Sequence, residues 1–191
     1  MAGTGRKILR SGADSKVFMY IANHGGTGLL AFPNEEFLFA DEFIKALKLM
    51  KEKGLYEELL IYLDGSEAGS MFEGILPHDL NVLAVTASNP KETAFAAHCF
   101  PNDIVQGKNL GICMTDSFSL NWMRDTESHC PLKETLSMQL KNVKNATSMT
   151  TVTPYGDMTI LKEKVGEFIG VVEPSEHDAL PQNLLLDILL E

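Results

Sequence analysis

The sequence predicts an α/β fold in which a mostly parallel sheet is flanked by helices. Three apolar runs of strand length, Lys16–Ala22, Glu58–Leu63 and Asn81–Ala87, are separated by segments with helical spacing. Continuous apolar runs are typical of strands buried on both faces, and strand, helix, strand in close succession implies right-handed crossovers. The 191 residues, 45% hydrophobic and 22% charged, fit one globular domain with its own core.

The first predicted strand, Lys16–Ala22, ends in Asn-His-Gly-Gly at 23–26, which we expect to be a loop. A short extension or hairpin partner is predicted at Leu29–Phe32. The first helix is expected to begin with Asp41 as its N-cap and to end at Gly54. Between them, three apolar residues recur at helical spacing: Phe43, Leu47 and Met50.

The second predicted strand ends abruptly in Asp64-Gly65-Ser66, a tight turn of small residues. A short helix is expected at Met71–Ile75, before the third strand. Further along, Phe118 and Trp122 are one helical turn apart and are expected in the core. A longer helix, entered through Pro131, is marked by four apolar residues: Leu132, Leu136, Leu140 and Val143. We expect loops at 101–108 and in the tail from residue 173.

Charge and cysteine content limit the possible partners. The formal net charge of −10 argues against binding to nucleic acid or to an anionic membrane, whereas a neutral or basic peptide would not be repelled. The N-terminal stretch 1–16 has no apolar core of signal-peptide length, and no apolar run is long enough to span a bilayer. Three cysteines, Cys99, Cys113 and Cys130, cannot all pair within one chain. The sequence leaves open whether Cys113 and Cys130 form a disulfide in an oxidising compartment.

Two strand ends carry residues that are able to do chemistry. In an open parallel sheet, ligands gather at the carboxyl ends of the strands. His24 follows the first strand and precedes two glycines, which fits a general base approached by a substrate backbone. Ser66, after the second strand, stands where such folds hold a nucleophile. By residue type alone, an ordinary turn role is the commoner explanation for both residues.

Several motifs in one order resemble the legumain family, the asparaginyl endopeptidases. The matching stretches are "VFMYIANHGGTGLLAFPNEE", "EAGSMFEGILP", "NVLAVTASNPKET", "DSFSLNWMRD", "KETL" and "YGD". The catalytic subunit of GPI transamidase shares the fold and a His and Cys pair but matches less closely. The resemblance runs from about Gly3 to Gly170 and implies a caspase-like sheet. It divides the chain into a partial peptidase domain, 1–170, and a short C-terminal tail, 171–191.

The resemblance implies roles for individual residues. His24 falls on the family's catalytic histidine with Gly25 beside it, and Ser66 falls on the catalytic cysteine. Asp64 stands in place of a glutamate at the floor of the asparagine-binding pocket.

Three further positions belong to the same implied pocket. Asp116 matches a retained acid, Ala94 replaces a serine, and its neighbour Thr93 is placed with it. Asn23 replaces an aspartate that the family usually carries before the histidine.

The implied function is a cysteine-type endopeptidase that cleaves after asparagine by acyl transfer, impaired in this chain. A serine hydroxyl needs a base arranged to remove its proton, whereas a cysteine beside a histidine is readily ionised. The family also has two strands before the matched residues, so we expect the first strands to be lacking. The alternative is an inactive pseudoprotease that binds peptides or a partner, including an intact homologue or a second copy of the chain.

Further expectations concern modification, location and ligands. Asn145 begins an Asn-Ala-Thr sequon, which is relevant only on the secretory route. The family implies a lysosomal, vacuolar or secretory location, and the chain as written implies the cytoplasm. His98 and Cys99 are adjacent but lack further ligands at a metal-binding spacing, so we expect no metal site and no cofactor.

Overall fold

In the computed structural model, residues 9–171 are described and form an α/β structure. The strands are β1 Lys16–Ala22, β2 His24–Gly26, β3 Leu29–Phe32, β4 Glu36–Phe39, β5 Glu58–Asp64, β6 Val82–Thr86, β7 Ala96–Ala97, β8 Ile104–Val105, β9 Lys108–Asn109, β10 Thr115–Asp116 and β11 Thr153–Gly156. The α-helices are α1 Ala40–Glu52, α2 Ser117–Ser128, α3 Leu136–Ala146 and α4 Val165–Ile169. Short 3₁₀ helices span Pro33–Glu35, Ala68–Met71, His78–Leu80 and Met158–Lys162.

The central sheet has the strand order β1-β5-β6-β11. β1, β5 and β6 run parallel, and β11 is antiparallel to β6. The prediction of a mostly parallel sheet flanked by helices is therefore confirmed. In the register of β1 and β5, Ala22 pairs with Asp64. The residues that follow these two strands consequently emerge at the same edge of the sheet.

The sheet buries side chains on both faces, as its continuous apolar strands predict. Along β5, Leu59, Ile61 and Leu63 pack on the side of α1, whose Leu47 is fully buried. The alternate residues Leu60 and Tyr62 pack on the opposite side, in a second cluster. That cluster also contains Phe118 of α2, Val143 of α3 and Phe168 of α4. Phe118 is a core residue as predicted, and Trp122 is partly buried against the same cluster.

Helix α1 starts two residues earlier than a cap at Asp41 would allow. Phe39 is the N-cap residue, and its N–H donates to the carboxylate of Glu42 at 3.4 Å. Asp41 instead pairs with Lys45 one turn along the helix, at 2.8 Å. The prediction of Gly54 as the helix terminator is confirmed, since its φ of +59° lies in the left-handed region that glycine favours.

Four further local predictions are wrong. The segment 23–26 contains strand β2, which pairs antiparallel with β3, and β3 pairs with the unpredicted β4. The expected helix at Met71–Ile75 is a 3₁₀ helix that lies earlier, at Ala68–Met71. The expected loop at 101–108 contains the hairpin of β8 and β9.

The fourth correction concerns the helix expected from Pro131. Helix α3 begins only at Leu136, because the hydroxyl of Thr135 accepts the Met138 N–H at 3.2 Å and caps the helix there.

One disulfide joins Cys99 to Cys113, and Cys130 is an exposed free thiol. The pairing of Cys113 with Cys130 is therefore wrong. Antiparallel pairing of β7 with β10 brings Cys99 and Cys113 together. No helix within 9–171 is long and apolar enough to cross a membrane. The tail from residue 173 lies outside the described residues.

Candidate active site

A cavity of about 290 Å³ opens at the carboxyl ends of β1 and β5. We call it the strand-end cavity, and its lining residues are Ala22, Asn23, His24, Asp64, Gly65, Ser66, Ala94, Ala96 and Asp116. Parallel pairing of β1 with β5 is what brings His24 next to Ser66, which follows 42 residues later in the chain. Five of the seven predicted catalytic and pocket residues thus line one cavity. The other two, Gly25 and Thr93, are not among the lining residues.

The two strand ends touch through their backbones. A Cβ atom on Gly25 would lie 2.2 Å from the carbonyl oxygen of Ser66, and one on Gly65 would lie 2.7 Å from that of Asn23. The Asn23 N–H also donates to the Asp64 carbonyl at 3.0 Å. Glycine is required at both positions because no side chain fits between the two segments. This contact fixes the His24 backbone relative to the Ser66 turn.

The Ser66 turn is held from behind by the segment that follows β6. The buried Ser88 hydroxyl donates to the Gly65 carbonyl at 2.8 Å and accepts the Ala68 N–H at 3.1 Å. The Glu67 N–H donates to the Glu92 carbonyl at 2.7 Å. Sequence reasoning missed Ser88, although a serine directly after a buried strand was a visible signal.

Ser66 lines the cavity, and its hydroxyl and its amide differ in their hydrogen bonds. The hydroxyl oxygen accepts the Ala94 N–H at 3.2 Å. Within the described part of the chain, the Ser66 N–H donates to no group, and no hydrogen bond joins Ser66 to the ring of His24. The amide is thus free for an incoming oxygen atom. A base and its hydroxyl are often further apart without a substrate than in the reacting complex.

Asp64 forms a buried acidic floor. The residue is 2% exposed, and its Oδ2 accepts the N–H of Ser119 at 3.0 Å and the Ser119 hydroxyl. Burial raises the pKa of Asp64 to about 6, and the Asp116 charge adds to that rise while the Ser119 hydrogen bonds oppose it. Tyr20 shares a hydrogen bond of 2.5 Å with the Ser119 hydroxyl. Sequence reasoning missed both Ser119 and Tyr20.

Asp116 supplies a second carboxylate, half buried at the end of β10. Its pairing with Ala96 in β7 holds it against the cavity wall. Burial raises the pKa of Asp116, and the charge of His24 lowers it. The cavity is therefore lined by Ser66, which carries a hydroxyl, and by the carboxylates of Asp64 and Asp116. Such a floor accepts hydrogen bonds from an amide or a cationic group.

The sequon residue lies away from the strand-end cavity. Asn145 is exposed in the last turn of α3 and lines a different cavity. Thr147, the third residue of the sequon, is buried and accepts a hydrogen bond from the Asn121 amide at 3.0 Å. Within 9–171, the one group of three possible metal ligands also lies elsewhere, at the C-terminal end of α2.

Comparison with known proteins gives consistent matches. The model of the "Peptidase C13 family" matches residues 1–171. A vacuolar-processing enzyme from Glycine max is 35% identical over 100% of this chain and 40% of its own length. A hemoglobinase from Schistosoma japonicum is 38% identical over 93% and 41%, and a legumain from Canavalia ensiformis is 34% identical over 99% and 41%. The chain spans about 40% of the length of these relatives. Caspase-1 from Spodoptera frugiperda has a TM-score of 0.47 and 10% identity over 73% of this chain and 58% of that one.

Proposed function

The chain belongs to the peptidase C13 family, and on that premise we propose that the strand-end cavity is the peptide-binding cleft of a cysteine-type endopeptidase in which Ser66 replaces the nucleophile and impairs hydrolysis. The observation that carries the proposal is the convergence of His24, Ser66 and two carboxylates on one cavity. The substrate would be a peptide or protein, as for a peptidase.

The backbone near Ser66 suits the acyl-transfer step. An oxyanion that forms at a scissile carbonyl needs backbone N–H donors aimed at it. The Ser66 N–H has no other acceptor in the part of the chain that the structure describes, which supports it as one such donor. The absence of a side chain on Gly25 lets the His24 segment lie directly against the Ser66 backbone that carries this donor.

The acidic floor would select the side chain on the acyl side of the scissile bond. The N–H₂ of an asparagine side chain can donate to Asp116 and to the Oδ1 of Asp64, whose Oδ2 is taken by Ser119. Because the pKa of Asp64 is raised to about 6, mildly acidic conditions would protonate it. The neutral acid can then donate to the side-chain oxygen of the asparagine while Asp116 accepts from the nitrogen.

Impaired hydrolysis follows from the chemistry of the nucleophile. A thiol beside a histidine ionises readily, whereas the Ser66 hydroxyl keeps its proton until a base removes it. In the structure that hydroxyl is engaged with the Ala94 N–H, not with His24. Binding without efficient turnover is thus the expected behaviour.

The disulfide supports a compartment on the secretory or vacuolar route. Disulfides persist in oxidising compartments, and Cys99–Cys113 is such a bond. Several relatives are named vacuolar-processing enzymes. We propose the same route for this chain, where the Asn145 sequon would also be accessible to glycosylation.

The test separates binding from turnover. We expect the full chain to bind a peptide with one central asparagine, measured by fluorescence anisotropy, and we expect Asp64→Asn to weaken that binding at least fivefold. The matched control is the same peptide with leucine in place of asparagine, which should bind weakly to both proteins. Equal binding of the two peptides would contradict the proposed pocket.

Turnover is measured on a fluorogenic version of the asparagine peptide. We expect no detectable cleavage by the unchanged chain and only partial activity from Ser66→Cys, far below that of an intact family peptidase. Cleavage by the unchanged chain that disappears in His24→Ala would overturn the impairment. Full rescue by Ser66→Cys would show that the nucleophile alone limits activity.

A further inference from the structure

Three potential metal ligands meet where α2 ends and α3 is about to begin. Asp125 lies in the last turn of α2, His129 follows that helix, and Glu134 precedes the cap of α3. One ligand atom from each lies within 4.8 Å of the other two. The His129 Nδ1 is 3.2 Å from Asp125 Oδ1 and 3.7 Å from Glu134 Oε1. We call these residues the helix-end cluster.

The two carboxylates are buried without enough partners. Their side chains are 8% and 2% exposed for Asp125 and Glu134, respectively. The Asp125 Oδ2 and Glu134 Oε2 atoms are inaccessible to solvent and have no hydrogen-bond partner in the described structure. Buried polar atoms are normally satisfied, so two orphaned carboxylate oxygens in one cluster need an explanation. The other oxygen of each carboxylate, Asp125 Oδ1 and Glu134 Oε1, faces the Nδ1 of His129.

Few cationic side chains of the described residues lie near the two buried carboxylates. Within 9–171, His129 is the only ion-pair partner of either carboxylate. The nearby Arg124 is directed to the ring of His98, at 3.1 Å. Two buried carboxylates that share one histidine repel each other, and a bound cation would remove that repulsion.

We propose that Asp125, His129 and Glu134 bind a divalent transition-metal ion, with Zn²⁺ as the preferred one. One imidazole and two carboxylates form a typical donor set for Zn²⁺, whereas Ca²⁺ and Mg²⁺ favour oxygen ligands alone. Zinc bonds of about 2.0–2.1 Å in a tetrahedron place neighbouring ligand atoms about 3.3 Å apart. The observed separations of 3.2 and 3.7 Å lie close to that spacing.

The surroundings give the ion access and support. A cavity of about 530 Å³ opens beside Asp125 and His129 and leaves room for water as a fourth ligand. The Asn142 amide donates to Glu134 Oε1 at 3.4 Å, and an outer hydrogen bond of this kind orients a metal-binding carboxylate. The Nδ1 of His129 now lies 3.0 Å from the Asp125 backbone carbonyl, and the metal bond would replace that contact.

A bound ion would tie the end of α2 to the start of α3. Bound through Asp125 Oδ1 and Glu134 Oε1, it would neutralise both carboxylates, remove the repulsion between them and reduce the cost of burying their orphaned Oδ2 and Oε2 atoms. None of the three ligands lines the strand-end cavity. The proposed metal site therefore does not depend on the proposed peptide-binding function.

The test is a calorimetric titration of Zn²⁺ into the full 191-residue chain after dialysis against EDTA. We expect one high-affinity equivalent with a micromolar or lower Kd. We expect His129→Ala to weaken that affinity at least tenfold, and because this side chain is half exposed the variant should fold normally. The matched control is His98→Ala, which removes a histidine outside the cluster and should bind like the unchanged chain.

A second measurement keeps the proposal testable if one of the variants fails to fold. Co²⁺ gives a visible absorption band when it is held in a tetrahedral protein site, and we expect this band in the unchanged chain and its loss in Glu134→Gln. Absence of Zn²⁺ binding, or affinity unchanged in His129→Ala, would overturn the proposal. Tighter binding of Ca²⁺ or Mg²⁺ than of Zn²⁺ would overturn the choice of ion.

Discussion

Asp64 and Glu134 are both 2% exposed, yet their surroundings differ in kind. Asp64, at the floor of the strand-end cavity, has two hydrogen bonds from Ser119. Glu134 keeps one buried oxygen without a donor and faces the carboxylate of Asp125. The fold thus supplies hydrogen-bond donors to Asp64. It leaves one oxygen of Glu134 without a donor, so that a bound metal ion would be needed to neutralise this carboxylate. Burial alone does not distinguish the two.

The strand-end cavity and the helix-end cluster also differ in the contacts that form them. The strand-end cavity depends on backbone contacts, in which Gly25 and Gly65 lie against carbonyl groups of the facing segment. The helix-end cluster depends on side chains carried by the ends of two helices. A substitution should therefore disturb the first through sterics and the second through charge.

The largest expected effect is that of Gly25→Ala. The added Cβ would lie 2.2 Å from the Ser66 carbonyl oxygen, a backbone atom that cannot swing aside. We expect the free energy of unfolding to fall by about 3 kcal/mol, as for severe overpacking. Urea unfolding followed by circular dichroism measures it.

The adjacent glycine offers a matched control. A Cβ on Gly26 would meet only the Leu29 side chain, at 3.7 Å, which is ordinary contact. Gly26→Ala should change the free energy of unfolding by less than about 1 kcal/mol. Equal effects at the two positions would mean that the close backbone approach is not what shapes the strand-end cavity.

The second prediction uses the pH dependence of Asp64. Its pKa is raised to about 6 in the folded chain, from about 3.9 in the unfolded chain. The stability that this group contributes is fully present below the unfolded pKa and is lost as the pH rises through about 6. The fall amounts to about 3 kcal/mol at most between pH 4 and 7.

The variant Asp64→Asn should lack this fall. Urea unfolding at several pH values, for the variant and the unchanged chain, gives the difference directly. Asp79→Asn, an exposed carboxyl, is the control and should leave the profile of the unchanged chain intact. A profile that is the same with and without the Asp64 carboxyl would show that burial does not penalise its charge.

The sequence was sufficient to predict the parts of the fold that depend on local pattern. Continuous apolar runs predicted β1, β5 and β6, and the glycine after α1 predicted where that helix ends. Contacts between distant segments were not visible in this way. The short β4 pairs with β3 in a small sheet that exposes much of its apolar surface, so no continuous buried run marks it.

The same distinction between local pattern and distant contacts applies to the candidate sites. His24 and Ser66 were identified because strand ends and a family resemblance mark them. Ser88 and Ser119 were missed, because their hydrogen bonds to Gly65 and Asp64 join segments 23 and 55 residues apart. The helix-end cluster was missed because the 125, 129 and 134 spacing crosses a helix boundary, where no periodic pattern applies.

The smallest expected effect, and the one that best distinguishes the two buried acids, is that of Glu134→Gln. In EDTA, the new amide can donate to the orphaned Asp125 Oδ2 and the like-charge repulsion disappears, so we expect the free energy of unfolding to rise by about 1 kcal/mol. With Zn²⁺ at one hundred times its Kd, the unchanged chain should gain about 2.7 kcal/mol that the variant largely lacks. The sign of the difference should then reverse. Glu127→Gln, an exposed change in α2, should show no such reversal. A variant that is less stable than the unchanged chain in EDTA would mean that His129 already balances the Glu134 charge, and the contrast with Asp64 would not hold.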